Sequence, residues 1–469
     1  MTEGTTSADT AFQVADLLRT EGPWEVYAQR TRRYEVHLNG RAVEMVRGPI
    51  RLEGYGLRLF RFRDGVSHVG FQASTDLSED GVREASHDAE TLAHSSSFPA
   101  KKVELPGTAP GGAAETEIRD PTLWARPLES LQEYVETLLG EFDPKKGATP
   151  SFGSVRASLI ETSIANSAGL RAAYPHTVVE FELAVKSEGG PEGAPPGEYW
   201  VTESFRRLDR ASLPHDVAEW SRFAQDARRA KPTPLGDLPV VLPPSVLSGI
   251  LPTVVGWRCT GAARLREVAP AGGTKWAAEE VNITDDGLVP WALGSTPIDD
   301  EGSPQRRRQM LVGGVVSELL YDVSHAGAFD TRSTGNAFRG RVVSFQDWRR
   351  FLHAPVICST TLSVAPGTGG TDEELIQGVQ DGIWLQQLGW AIPNPLSGAF
   401  GGEVRIGYRI HQGKLAEPVR GGTIGGLVMA PPGTPSLLSG VVAVGSHPTL
   451  AEGVLSPTLV AKNLTVAGA

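Results

Sequence analysis

Glycine and proline interrupt this chain so often that strands and turns, rather than helices, should make up most of it. The sequence contains 54 Gly and 34 Pro among 469 residues. Gly tolerates backbone conformations that other residues avoid, and Pro cannot donate a backbone hydrogen bond, so both residues favour turns. A chain of this composition passes repeatedly from strand to turn. We therefore expect β structure to outweigh helix.

The length of the chain, 469 residues, exceeds what one ordinary hydrophobic core accommodates, and it predicts two domains. Pro232, Pro234 and Gly236 end the pattern of the preceding helix and mark the predicted boundary. We expect an α+β protein with two domains. Residues 1–230 form an N-terminal domain of helices and antiparallel β-meanders, and residues 237–469 form a β-rich C-terminal domain.

Hydrophobic spacing locates the main elements within these domains. The sequence predicts helices at 10–21, 78–95, 127–141, 213–229, 247–257 and 372–388. Antiparallel meanders are expected within 24–73 and 155–203, where apolar and polar residues alternate between turn signals. The repeated helix-plus-meander layout suggests a duplicated arrangement, although no internal sequence repeat supports it.

Charge and cysteine content exclude several classes of protein. A net charge of −11 is unsuited to a phosphate-binding surface, and the basic run 306–308 closely follows the acidic run 299–301. Cys259 and Cys358 are too few for a disulfide framework and fit a reducing compartment. The sequence has neither an apolar run of membrane-spanning length nor a secretory signal pattern. We expect a cytoplasmic protein that binds neither nucleic acid nor a membrane.

Three stretches of the sequence carry a family resemblance. Residues 164–169 contain an Asn-Ser-x-Gly turn, and residues 293–302 end in an Asp-x-Glu-Gly motif. The second stretch continues through 306–316 to a Ser-Thr-Gly-Asn-Ala motif at 333–337. The third begins at 394–400. In order and spacing these stretches resemble the TldD/PmbA family, also called modulator-of-DNA-gyrase proteins, from about residue 10 to the C-terminus.

The resemblance implies one of two subunit types. TldD-like subunits carry a His-Glu-x-x-x-His helix and a late Cys on zinc, because zinc hydrolysis needs His or Cys ligands and a Glu that activates water. Here the corresponding six residues are 252–257, with Pro252, Thr253 and Trp257 at degenerate metal-site positions, and the late segment 452–457 contains no Cys. Residues 216–324 contain no His at all. The chain therefore resembles the TldE/PmbA-like branch, with zinc in the partner subunit and no cofactor of its own.

Other groups of possible metal ligands have simpler interpretations. His87 and His94 fall two helical turns apart, about 10 Å, which is too far for joint ligation of one zinc ion. We expect them on a solvated helix face. The acidic run 299–301 could bind a divalent cation, but a structural role with ion pairs to 306–308 is favoured.

The Ser-Thr-Gly-Asn motif is a candidate contact for peptide or partner. The residues concerned are Ser333, Thr334, Gly335, Asn336 and Arg339. Ser333 and Thr334 could donate hydrogen bonds, but the nearest His in sequence, His325, has no evident residue to orient it as an activating base. The alternative interpretation is a tight loop whose Asn tolerates a left-handed conformation.

The family resemblance implies a non-catalytic, metal-free subunit of a heterodimeric TldD/TldE-type zinc metalloprotease that processes or degrades unfolded peptides. Exposed strands such as 402–410 and 440–445 would bind an extended peptide by β-augmentation, which requires no particular side chain. Two alternatives remain open. One is a homodimeric binding or scaffold protein that is independent of metal, and the other is an enzyme of new chemistry in a repurposed cleft.

Overall fold

The computed structural model describes residues 9–107, 117–143, 145, 147–188, 196–340, 348–389 and 391–468. Its N-terminal half is built on one antiparallel sheet of six strands in the order β3-β2-β1-β4-β5-β6. The strands are β1 (Trp24–Asn39), β2 (Ala42–Arg63), β3 (Val66–Ser74), β4 (Thr149–Asn166), β5 (Arg171–Ser187) and β6 (Gly197–Phe205). The helices are α1 (Thr10–Leu17), α2 (Glu79–Ser95), α3 (Pro121–Ala125), α4 (Pro127–Glu141) and α5 (Leu213–Arg229).

The two faces of this sheet have different coverings. Val26 and Val36 of β1 lie on one face, where they join clusters formed with α1 and α2 or with α4 and α5. Tyr27 points to the opposite face because side chains alternate along a strand, and there it packs against Ile298 and Phe351. Helices therefore cover one face of the sheet, and part of the C-terminal half covers the other.

The C-terminal half contains a ten-stranded sheet, in which β7 and β18 branch from a path of eight strands, together with a six-stranded sheet and a strand pair. Its strands are β7 (Lys231–Pro232), β8 (Gly236–Asp237), β9 (Val240–Leu242), β10 (Ile283–Asp286), β11 (Arg307–Val312), β12 (Val315–Val316), β13 (Ala337–Arg339), β14 (Pro355–Ile357), β15 (Leu362–Val364), β16 (Asp381–Gly389), β17 (Ala399–His411), β18 (Lys414–Arg420), β19 (Thr423–Leu427), β20 (Val441–Val444), β21 (Thr449–Ala451), β22 (Val454–Ser456), β23 (Leu459–Ala461) and β24 (Thr465–Ala467). Its helices are α6 (Pro244–Ser248), α7 (Gly261–Leu265), α8 (Val323–Ala328) and α9 (Asp372–Gln377).

This architecture confirms the predicted α+β class, with helices and meanders first and a β-rich part after them. Its largest apolar cluster lies in the C-terminal half and includes Val240, Leu247, Val254 and Ile283. The predicted boundary segment contains β7, which pairs with β18, and β8, which pairs with β24. Among the described residues, no helix is long and apolar enough to cross a membrane.

Two predicted helices differ from the structure. The helix expected at 247–257 is interrupted, since α6 ends at Ser248 and a π-helical turn spans Pro252–Gly256. Pro252 has no N–H to donate to a carbonyl one turn earlier, so a regular α-helix cannot pass through it. The helix expected at 372–388 ends as α9 at Gln377, and β16 begins at Asp381. The acidic capping box fixed only the start of α9, while the apolar residues beyond it belong to a strand.

The strand expected to be open at 402–410 is also different in the structure. It lies within β17, which pairs with β16 on one side and with β18 and β19 on the other. Its backbone is therefore already hydrogen-bonded. The segment 440–445 contains β20, which pairs with β23 at the end of the large sheet.

Buried ion pairs join the two halves of the chain. The Arg58 guanidinium on β2 donates to Glu25 at 2.7 Å and to Glu301, and Arg339 donates to the other oxygen of Glu25 at 2.8 Å. The Arg339 backbone N–H donates to Asp300 at 2.6 Å. All these side chains are almost entirely buried. The acidic run thus has a structural role, but its partners are Arg58 and Arg339 rather than the basic run expected from the sequence.

Burial opposes charge on Arg58 and on the neighbouring Asp299. Burial lowers the pKa of Arg58, but Glu25 and Glu301 together raise it further than burial lowers it. Burial raises the pKa of Asp299 to about 8, although Asp299 accepts backbone N–H bonds from Ser303 at 2.7 Å and from Ala337 at 3.0 Å. Removing one partner would therefore leave an uncompensated buried charge.

We predict that Arg58→Met destabilises the protein by roughly 3–5 kcal/mol, the cost of breaking a buried ion pair on one side. Urea denaturation followed by circular dichroism measures the change in the free energy of unfolding. Arg51→Met is the matched control, because Arg51 lies exposed on the same strand. The control should stay within about 0.5 kcal/mol of the wild type. Equal urea denaturation midpoints for Arg58→Met and Arg51→Met would contradict a stabilising role for the network.

Candidate functional site

The degenerate metal-site positions lie in and beside the π-helical turn. Pro252, Thr253 and Trp257 are half-buried, whereas Val254 and Val255 between them are fully buried in the main C-terminal core. The Trp257 ring lies beneath the guanidinium of Arg266, 5.8 Å from the ring centre. Neither the proline ring nor the indole offers a lone pair suited to zinc, and a neutral threonine hydroxyl is a poor ligand. The side chains of this turn therefore do not fit a zinc ion.

The other possible ligands lie apart or have different partners. Within the described ranges, no group of three or more His, Cys, Asp or Glu side chains is placed to hold a metal ion. His94 contacts Arg63 at 3.0 Å, and Glu90 pairs with Arg61. The ring of His325 lies 2.8 Å from an oxygen of Asp322 and packs against Phe98. His325 therefore does have an orienting partner, contrary to the sequence expectation.

Internal hydrogen bonds hold most of the Ser-Thr-Gly-Asn motif. The Thr334 hydroxyl accepts the N–H of Tyr321 and lies within hydrogen-bond distance of the Asn336 side chain, each at 2.7 Å. The Asn336 amide donates to Asp285 at 2.6 Å, and Arg339 is fully buried. Gly335 has a φ of +80°, which suits the tight loop. These bonds explain the motif as a loop support, and contact with peptide or partner stays a prediction.

Ser333 is the most accessible polar side chain of the motif's first four residues. Its hydroxyl lies 3.1 Å from that of Ser303 and 3.3 Å from the carbonyl oxygen of Tyr321. Ser333 and Thr334 line a pocket of about 580 Å³ together with Arg306 and Arg308. Arg308 is already paired with Glu318 at 3.3 Å.

A larger groove runs between the two halves of the molecule. Its volume is about 1530 Å³. One wall is β6 of the N-terminal sheet, and the other is formed by β16, by α6 with the residues around it, and by the β21–β22 turn. Its lining includes aromatic residues and carboxylates: Tyr199, Trp200, Trp291, Trp384, Glu198, Glu203, Glu219, Asp372, Glu403 and Glu452.

Strand β6 is an edge strand that faces this groove. It pairs with β5 along one side, and in the described part of the chain no strand pairs with its other side. A side-chain bond from Gln387 of β16 reaches the Trp200 carbonyl oxygen and links the two walls. The remaining backbone groups on the free side can bind an extended chain by β-augmentation. This edge, rather than the strand at 402–410, is available for such pairing.

The charge of the groove is strongly negative. Six carboxylates line it against two cationic side chains, Arg405 and Arg420. Arg405 is paired with Glu403 at 3.2 Å, and Arg420 donates to the carbonyl oxygen of Ala227 at 3.2 Å. The groove therefore retains an excess of negative charge that its own cations do not balance.

Two of these carboxyls are perturbed. Burial raises the pKa of Glu203 to about 7, with a further contribution from Asp216 of α5. Burial raises the pKa of Glu452 to about 7 as well, and the charge of Glu203 adds to the effect. Glu203 is exposed to the groove and Glu452 is half-buried, yet the surrounding protein displaces enough water to disfavour both charges. Within the described ranges neither carboxyl has a hydrogen-bond or ion-pair partner.

Sequence reasoning missed Glu203 and noticed Glu452 only as part of the segment that corresponds to the metal subunit's Cys. Glu203 lies in a strand whose alternating pattern indicates ordinary surface polarity. The two carboxyls come together because β6 and the β21–β22 turn meet across the groove, 249 positions apart in sequence (452 − 203). A long-range juxtaposition of this kind leaves no local sequence signal.

The second half of the chain matches a known protein family. Residues 235–468 match the model of the PmbA/TldA metallopeptidase C-terminal domain. The chain is 28% identical over 214 residues to a protein named metalloprotease TldD homolog from Haemophilus influenzae, which covers 43% of this chain and 42% of the relative. It is 29% identical over 230 residues to the homolog from Buchnera aphidicola, covering 48% and 42%. The matches thus span about two fifths of the length of these relatives.

Solved structures share the fold across nearly the whole chain. TldE from Thermococcus kodakarensis superposes with a TM-score of 0.77 at 20% identity, covering 98% of this chain and 99% of that one. A protein named as a candidate modulator of DNA gyrase, from Thermotoga maritima, gives 0.75 at 18% identity, covering 95% and 96%. At such low identity these structures support the fold alone. Together with the family model and the TldD relatives, they show that this chain belongs to the TldD/PmbA family.

Proposed function

We propose that this chain is the non-catalytic, metal-free subunit of a heterodimeric TldD/TldE-type zinc metalloprotease that processes or degrades unfolded peptides. The observation that carries the proposal is the chemistry of the π-helical turn. Pro252, Thr253 and Trp257 supply neither zinc ligands nor a general base, although the TldD relatives are named metalloproteases. The partner would supply the zinc ion, the water and the Glu that activates it.

The groove explains how such a subunit would contribute without catalytic residues. The free side of β6 offers backbone donors and acceptors in a fixed extended geometry. An unfolded peptide can pair with this edge whatever its sequence, because the backbone groups are the same in every residue. Substrate bound in this way would be extended and held for cleavage at the partner's metal.

The carboxyls of Glu203 and Glu452 favour one alternative, an enzyme of new chemistry in a repurposed cleft. A carboxyl whose pKa is about 7 can both accept and donate a proton near neutral pH. Peptide cleavage by the chain alone, in the presence of a chelator, would support this alternative. The other candidate, a homodimeric scaffold, predicts peptide binding without any cleavage in either setting.

We predict that cleavage of an unstructured peptide requires this chain together with a TldD-like zinc subunit. The partner alone lacks the groove of this chain, and this chain alone lacks a metal-activated water. The measurement is the release of fluorescence from a quenched linear peptide with each protein alone and with both. The control replaces the catalytic Glu of the partner with Gln and should abolish the signal. Equal rates with and without this chain would refute the partner role.

We also predict that the purified chain does not bind zinc at one ion per molecule. The side chains at the degenerate positions do not fit the ion, so excess Zn²⁺ should leave the melting temperature unchanged, whereas a ligand bound to the folded state raises it. Elemental analysis after dialysis and thermal melts with and without Zn²⁺ measure this. A known zinc protease serves as the positive control. Stoichiometric zinc in this chain would overturn the metal-free assignment.

A further inference from the structure

We propose that the groove between β6 and β16 selects extended peptides that carry a lysine or arginine side chain, with Glu203 and Glu452 as the receptors of the positive charge. The inference rests on the proposed function, because it takes peptide binding in the groove as given and adds the chemical class of the peptide. It follows from three features of the groove: its free strand edge, its unbalanced charge and its aromatic lining.

The strand edge sets the form of the occupant. Strand β6 spans Gly197–Phe205, nine residues, and at about 3.4 Å per residue it is roughly 30 Å long. An extended segment of similar length can pair with it, whereas a folded protein surface rarely presents one free strand of that kind. The groove volume of about 1530 Å³ leaves room for the side chains of such a segment.

The charge of the groove sets the chemistry of the occupant. Glu403 is paired with Arg405, and Glu219 is paired with Arg222 at 2.9 Å, but no cationic side chain in the described part of the chain pairs with Glu203 or Glu452. Two unpaired carboxylates on facing walls are unfavourable in the free protein, and the charge of Glu203 raises the pKa of Glu452. An ammonium or guanidinium group placed between them would relieve that repulsion and would form charge-assisted hydrogen bonds. We assign the missing countercharge to the bound molecule.

The aromatic lining suits the rest of a basic side chain. Tyr199 lies half-buried on the same face of β6 as Glu203, because side chains alternate along a strand, and Trp384 lies half-buried on the opposite wall. Lysine and arginine bury their aliphatic stems on apolar surfaces while the charged end stays in a polar site. A cation over an indole ring gains further electrostatic attraction.

The test compares the binding of two unstructured peptides by fluorescence anisotropy at pH 8. One has a central lysine, and the other has norleucine, which keeps the aliphatic stem and lacks the charge. We expect the full wild-type chain to bind the lysine peptide about tenfold more tightly, a difference typical of a partly desolvated ion pair. Glu203→Gln with Glu452→Gln should abolish this preference while norleucine binding is unchanged. Glu84→Gln, an exposed change on α2, controls for net charge.

Each outcome bears on the proposal in a defined way. Equal binding of both peptides by the wild type, or a preference that survives the double substitution, would overturn the lysine selectivity and leave peptide binding intact. Binding of neither peptide would reject both the selectivity and the role of the groove. Displacement of the lysine peptide by millimolar Ca²⁺, with no displacement by K⁺ at the same ionic strength, would assign the carboxyls to a divalent cation instead. Preference for lysine that is lost in the double variant would support the proposal.

A stability measurement separates a binding role from a structural one. Glu203 faces Asp216 of α5, Tyr134 of α4, Tyr199 of β6 and Glu452 across the groove. Because the pKa of Glu203 is raised in the folded state, its carboxyl binds a proton more tightly there than in the unfolded state. The free energy of unfolding therefore falls as pH rises from the ordinary carboxyl pKa toward about 7.

We therefore predict that Glu203→Gln and Glu452→Gln raise the melting temperature at pH 8 and leave it nearly unchanged at pH 4. Glutamine removes the cost of ionisation that the wild type bears only at the higher pH. Differential scanning calorimetry at both pH values measures the shift, with Glu84→Gln as the control. A structural ion pair would give the opposite result, a lower melting temperature at pH 8.

Discussion

The buried pairing of Arg58 with Glu25 and Glu301 is the interaction on which the arrangement of the two halves depends. Glu25 and Arg58 stand on adjacent strands of the N-terminal sheet, and Glu301 comes from a loop of the C-terminal half. Burial makes each charge costly by itself, so the three are stable only when the halves are in one relative position. Apolar contacts such as that between Tyr27 and Ile298 add buried surface, but they are less directional and allow one half to slide against the other more easily. The ion pairs therefore fix the position of one half relative to the other.

The groove depends on this relative position of the two halves. Its walls belong to different halves, with β6 at one edge of the N-terminal sheet and β16 in the C-terminal sheet. The buried network involves β1 and β2, and β6 is the edge strand of the same sheet. Because six hydrogen-bonded strands form a rigid sheet, fixing β1 and β2 against the C-terminal half also fixes the position of β6. A shift of the halves would change the width of the groove and the separation of Glu203 from Glu452.

Local patterns in the sequence predicted what local physics determines. The amphipathic helices at 127–141 and 213–229 match α4 and α5, because one face of each meets an apolar sheet. The interruption at Pro252 and the strand after Gln377 were missed, since a proline inside a helix and a capping box both leave the following residues undetermined. The predicted ion-pair partners of 299–301 were wrong. Closeness in sequence favoured the basic run 306–308, whereas the buried partners in the structure are Arg58 and Arg339. Glu203 and Glu452 needed the folded chain, because only tertiary structure brings them together.

Of the two segments that the family resemblance marks as degenerate, 452–457 begins in the lining of this groove, and 252–257 follows residues that line it. Helix α6, which leads into the π-helical turn, lines one part of its wall, and Glu452 at the start of the segment without Cys lines another. A thiolate or imidazole at these places would serve a metal, but a carboxylate opposite a second carboxylate serves a cation of the substrate instead. Under the proposed selectivity, the positive charge that balances these carboxylates arrives on the peptide.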